Sequence, residues 1–139
     1  MTRPRQLITI TMLAGLALLP ACLTAGFGAC GSEERAFFNA IEQFDALPIE
    51  AEDHPYGICG AIFTTHGPVD AVVDHYVAQF ERTDWTVTGP VLEDGGGEPG
   101  VTGVTTVSAY RDTFQYHVAI FEMVGGSVDV NVTAGDAGQ

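Results

Sequence analysis

The chain of 139 residues contains no lysine, and two of its five arginines, Arg3 and Arg5, stand within the first five positions. Beyond residue 21 only Arg35, Arg82 and Arg111 oppose 18 acidic residues, a net charge of −15 for that part. A field of that sign repels phosphate backbones and anionic headgroups, which excludes nucleic acid as a partner and any membrane contact made through basic residues. Long apolar runs are also missing. The one apolar run at the start reaches at most from Leu7 to Leu23, short of the roughly 20 residues that cross a bilayer as a helix. There is no Gly-x-Ser-x-Gly elbow for a serine nucleophile. The run Gly95-Gly96-Gly97 is flanked by Glu93, Asp94 and Glu98 and leads into no helical pattern, so it does not cradle phosphate. Nothing in the residue pattern asks for a cofactor.

What the N-terminus does have is a basic opening, Met1 to Gln6, followed by the apolar segment Leu7 to Leu19. These are the two regions of an export signal. The residues Leu19-Pro20-Ala21-Cys22 resemble the bacterial lipobox, in which an aliphatic and a small residue precede a cysteine that is lipidated and becomes the new N-terminus. Leu19, Ala21 and Cys22 match, while Pro20 stands where a small or β-branched residue is usual. The resemblance implies a signal peptide of residues 1–21, a lipid on Cys22 and a membrane tether in the cell envelope. The alternative is an ordinary secretory cut, for instance after Gly26, giving a soluble secreted or periplasmic protein. Phe27-Gly28-Ala29-Cys30 is a poorer match because Phe27 occupies the aliphatic position.

With Cys22 first, 118 of the 139 residues remain, enough for one domain with a real core. Setting Cys22 aside leaves Cys30 and Cys59 as an even pair, which in an oxidising compartment is expected to be a disulfide. Closing that loop of about 30 residues is worth about 3–4 kcal/mol in the chain-entropy account. The competing assignment is a buried free thiol at Cys59.

After a glycine-rich leader, 22–31, Ser32 is expected to cap a helix over 33–46, with Glu33 and Glu34 in its first turn and Phe37, Ile41 and Phe44 on one face. The acidic segment from Ile49 to Gly57 reads as a loop, and residues 58–64 as a buried strand apolar on both faces. Pro68 opens a second helix ending near Arg82, with Val69, Val72, Val73, Tyr76 and Phe80 on its apolar face and Gln79 on or near the other. From Trp85 the period becomes two, with Trp85, Val87 and Val91 on one face of a strand that ends at Leu92. Three further strands are expected over 104–111, 114–123 and 127–133, turned by Arg111-Asp112-Thr113 and Gly125-Gly126. The expected fold is α+β, a two-layer sandwich with two helices packed on one face of a mainly antiparallel sheet of about five strands. It occupies 32–134 and leaves a disordered tail at 135–139.

Tyr76 and Phe80 on a helix, followed by Asp84-Trp85-Thr86-Val87 opening a strand, after a strand that carries Cys59 and ends at Thr64-Thr65, resemble small exported and lipoprotein domains of high-GC bacteria. The similarity covers about residues 33–133. Asp84 stands where those domains more often have glycine, and aspartate tolerates the left-handed turn conformation. The resemblance implies fold and export and contributes no catalytic residue.

Three constellations bear on chemistry. His66, Asp70 and Asp74 are the candidate metal ligands, because Asp70 and Asp74 lie four apart on one helical face and His66 precedes them. His75 lies about 100° round the helix from Asp74. Cys59 with His54, His66 or His117 would make a Cys-His dyad, whereas Ser108 and Ser127 sit in or beside strands with no paired histidine and aspartate in the pattern. Tyr110, Arg111 and His117 are the candidate binding surface on the long hairpin. The leading expectation is a non-enzymatic envelope or secreted module without cofactor that binds an unknown protein or small ligand. It would touch the membrane only through lipid on Cys22. A small metal-dependent or Cys-His hydrolase, and a structural or inhibitory envelope protein, are the alternatives.

Overall fold

The computed structural model describes residues 30–46, 49–54, 58–93 and 97–137. Cys22, the signal segment and most of the leader lie outside them. Two helices, α1 (Ser32–Asn39) and α2 (Val69–Arg82), accompany six strands: β1 (Glu52–His54), β2 (Ile58–Thr65), β3 (Thr86–Glu93), β4 (Val101–Arg111), β5 (Phe114–Met123) and β6 (Val128–Asp136). The strands form one antiparallel sheet in the order β1-β2-β6-β5-β4-β3. The α+β class stands, with six strands rather than about five. The additional one, β1, comes from the stretch read as loop, where three residues with no apolar alternation pair with Ile58, Cys59 and Gly60. At the other end β6 continues through Ala134, Gly135 and Asp136 opposite Tyr116, Gln115 and Phe114, so the domain includes two residues assigned to the tail.

The first helix is shorter than its periodicity suggests and ends at Asn39. Gly31, not Ser32, is its N-cap, and no side chain caps it. Beyond a turn lies a short 3-10 segment, Phe44–Ala46, with Asp45 at φ 62°. What replaces the expected helical turn is a buried polar contact. The Gln43 amide nitrogen donates to the Ile41 carbonyl at 3.2 Å and to the Tyr116 hydroxyl at 3.0 Å, while its amide oxygen accepts from Tyr76 at 2.8 Å. Ile41 is still buried and Phe44 still packs on the core, because the chain turns within the apolar stripe.

α2 follows the expected periodicity. Val72, Val73, Tyr76 and Phe80 are buried, and so is Gln79, which was assigned to the polar side. These residues, with Phe38 of α1, share one core with Val107, Tyr116, Val118, Ile120, Val130 and Val132 of the sheet. Tyr116 is its aromatic centre, 6.0 Å from the Phe38 ring, 5.1 Å from Phe80 and 6.0 Å from Trp85.

β3 departs from simple alternation. A cis Gly89-Pro90 bond and a register shift between Thr88 and Val91 interrupt its pairing with β4, and Val91 is exposed instead of joining the core with Val87. Gly89 has φ 109°, and a Cβ there would meet the Thr106 carbonyl oxygen at 2.9 Å, so the close approach needs glycine. Asp84 and Asp112 hold the left-handed conformation at φ 61° and 53°, and Gly125 and Gly126 turn β5 into β6. Cys30 and Cys59 are joined, as their pairing in sequence suggested. No helix among the described residues is long and apolar enough to cross a membrane.

Candidate functional site

On β5 the fully buried residues are Tyr116, Val118 and Ile120, and the alternating set Gln115, His117, Ala119 and Phe121 faces away from the core, half-buried. Antiparallel register carries that second face across the sheet. His117 lies beside Ser108 of β4 and Thr133 of β6, and Gln115 beside Tyr110 and Gly135. Two side-chain pairs order this surface. Ser108 Oγ and His117 Nδ1 are 2.9 Å apart, and Gln115 Nε2 donates to the Tyr110 hydroxyl at 3.2 Å.

On the β6 side of the same imidazole lies a recess of about 330 Å³, lined by Ile58, Gln115, His117, Thr133, Gly135 and Asp136. Its shape depends on Gly135, where a Cβ would come within 3.0 Å of Ile58 Cγ1. Burial pushes the His117 pKa below the 6.5 of a free imidazole, while the carboxylate of Glu93 pulls the other way. At neutral pH the ring is therefore uncharged, with one nitrogen donating and the other accepting. The Ser108 hydroxyl engages Nδ1, and hydrogen-bonding groups of Gln115 and Thr133 stand beside the ring. Such a surface can hold a polar group by several directed hydrogen bonds.

The residues singled out in the sequence divide between two faces. Tyr110 and His117 share the surface just described. Arg111 does not: Nη1 donates to the Thr83 carbonyl at 3.4 Å, and the guanidinium lies 6.0 Å from the centre of the Phe37 ring on the core side of the sheet. Alternation along β4 places neighbours on opposite faces, so Tyr110 and Arg111 could not both have joined one site. Ser108 is the functional candidate that sequence reading missed. Its pairing with His117 follows from the tight turn at Asp112-Thr113, since Arg111 opposite Phe114 sets the register that runs without a break to Gly103 opposite Glu122.

The cluster at the start of α2 does not assemble. His66 and Asp70 line a recess of about 470 Å³ together with Glu122, but Asp74 is not part of it. No group of three metal-ligating side chains occurs among the described residues. The His75 Nε2 donates to the Glu42 carbonyl at 2.6 Å, and its ring packs edge-on against Phe44 and Tyr76. Cys59 is fully buried and bonded to Cys30, so it supplies no thiol for a Cys-His dyad. Against known proteins, no family model, no curated protein and no solved structure matches this chain.

Proposed function

We propose that the mature chain is an exported, non-enzymatic binding module of the cell envelope, tethered by lipid on Cys22. Its recognition surface is the sheet face that carries Ser108, Tyr110, Gln115 and His117. In this reading both helices form a single layer on the other face, as the aromatic contacts of Tyr116 with Phe38 and Phe80 support. One observation carries the reading: a sheet face away from the core holds two side-chain pairs, Ser108–His117 and Gln115–Tyr110, beside an open recess. Side chains held by neighbours lose less conformational freedom when a ligand arrives, so less of the binding energy is spent on ordering them.

The acidic face of α2, with Asp70, Asp74 and Glu81, is the competing surface. Photo-crosslinking residues placed singly at Thr106 and Ala119 on the sheet, and at Asp74 and Glu81 on the helix, separate the two in the producing cell. Discrete crosslinked products are expected from the sheet positions only. Products from the helix positions alone, or none from either set, would overturn the assignment.

A further inference from the structure

A second recess, of about 260 Å³, opens on the same sheet face, at the end of β5 away from His117. Its apolar walls come from Ile62, Pro99, Phe121 and Met123, and it also takes in Glu98, Asp129 and Asn131. Its charged groups, Glu98 and Asp129, are both acceptors. The Asp129 carboxylate uses Oδ1 to accept from the Thr64 hydroxyl at 2.6 Å and keeps its other oxygen. Asn131 Oδ1 is buried without a hydrogen-bond partner, a costly state for an amide oxygen.

Among the described residues, no arginine is placed to neutralise this end of the sheet. Arg35 donates to the Ala51 carbonyl and pairs with Asp53, Arg82 donates to the carbonyl of Ala78, and Arg111 to that of Thr83. An apolar-walled recess with two carboxylates suits an aliphatic stem that ends in a cationic multiple donor. Guanidinium fits better than ammonium, since it is more weakly hydrated and stacks on an aromatic face such as that of Phe121.

The surroundings call for a polypeptide rather than a small amine. Ile62, Asn131, Ala119, Thr106 and Val91 form one row across five strands, about 19 Å at 4.8 Å per strand. Its two ends, Ile62 and Val91, are 67% and 47% exposed. A single headgroup cannot cover both ends, whereas about six residues of extended chain can. The sheet edges offer little for strand addition: β1 has three residues, and β3 carries Pro90 and a register shift. A partner therefore lies across the face.

Resting on the outer face as the recognition surface, we propose that the Ile62–Phe121–Asp129 recess receives an arginine side chain of a basic protein partner whose backbone runs toward Val91. The partner's positive charge complements the −15 of the mature chain, which speeds encounter and makes binding salt-dependent.

The test uses the mature protein with its disulfide intact and a blocked hexapeptide alternating arginine and valine. The control peptide carries citrulline, which keeps the shape and loses the charge. Amide shifts followed by NMR are expected to change at Ile62, Phe121 and Asn131. Affinity is expected to fall about tenfold with citrulline, and by about fivefold in an E98Q/D129N variant whose fold is checked by its unperturbed shifts elsewhere. Equal binding of the citrulline peptide, or shifts confined to Asp70, Asp74 and Glu81, would overturn the proposal. If the arginine peptide leaves the sheet untouched while crosslinks still form from Ala119, the partner class is wrong and the binding face stands. Loss of both removes the face as well.

Discussion

Gln43 shows how much one buried polar residue decides. Its amide accepts from Tyr76 and donates to Tyr116, so a residue next to the end of α1 ties α2 to β5. Burial raises the pKa of both phenols far above the ordinary value, which keeps them protonated and able to donate. Replacing Gln43 by leucine removes both contacts and leaves the Tyr76 hydroxyl in the core without the amide. A loss of about 2–3 kcal/mol is expected in chemical denaturation. Adding Tyr76→Phe to Gln43→Leu is expected to recover part of it, because an absent hydroxyl costs nothing to bury. If the double variant is no better than the single one, the cost comes from the shape of leucine and not from the lost bond.

At the scale of elements, α1 has only eight residues, too few to be stable alone, and its place depends on what holds its ends. The Cys30–Cys59 bridge joins the residue before the N-cap to β2 across a separation of 29. The Cys30 amide donates to Asp53 of β1 at 2.9 Å, so three elements meet at that point. Reduction, or Cys30→Ala, is expected to lower stability by about 2–4 kcal/mol and the melting temperature by several degrees. Hydrogen exchange is expected to rise first in α1, while Val118 and Val130 stay protected. An unchanged melting temperature under reductant would mean that the packing of Phe37 and Phe38 keeps the helix docked without the bridge.

For the whole molecule the decisive quantity is charge. The part beyond residue 21, at −15, has no electrostatic reason to stay at an anionic membrane. The tether proposed for it is the lipid on Cys22. Cys22→Ser is expected to move the protein from the membrane fraction to the soluble one, and the intact mass of the native protein is expected to include a diacyl- or triacylglyceryl cysteine. An unmodified chain starting at another residue would remove the tether and leave an exported soluble module.

Much of this organisation was legible without coordinates. The valines and aromatics of α2 recur at helical spacing, β5 alternates cleanly between its faces, and the even cysteine pair implied its bridge. These features are local or follow from counting, and periodicity in one segment is enough to read them. The early end of α1 was not legible, because Gln43 bonds to Tyr116, a partner distant in sequence, and the pairing of Glu52–His54 with the adjacent β2 was not, because three polar residues show no apolar alternation. The candidate site divided in the same way. Tyr110 and His117 could be named from the hairpin alone, but their shared face with Ser108 follows from register across strands. The recess of Ile62, Phe121 and Asp129 exists only because β2, β6 and β5 lie side by side. Sequence determined which residues are apolar, charged or able to turn; tertiary structure decided which of them meet, since contact between distant segments is set by the packing of the whole chain.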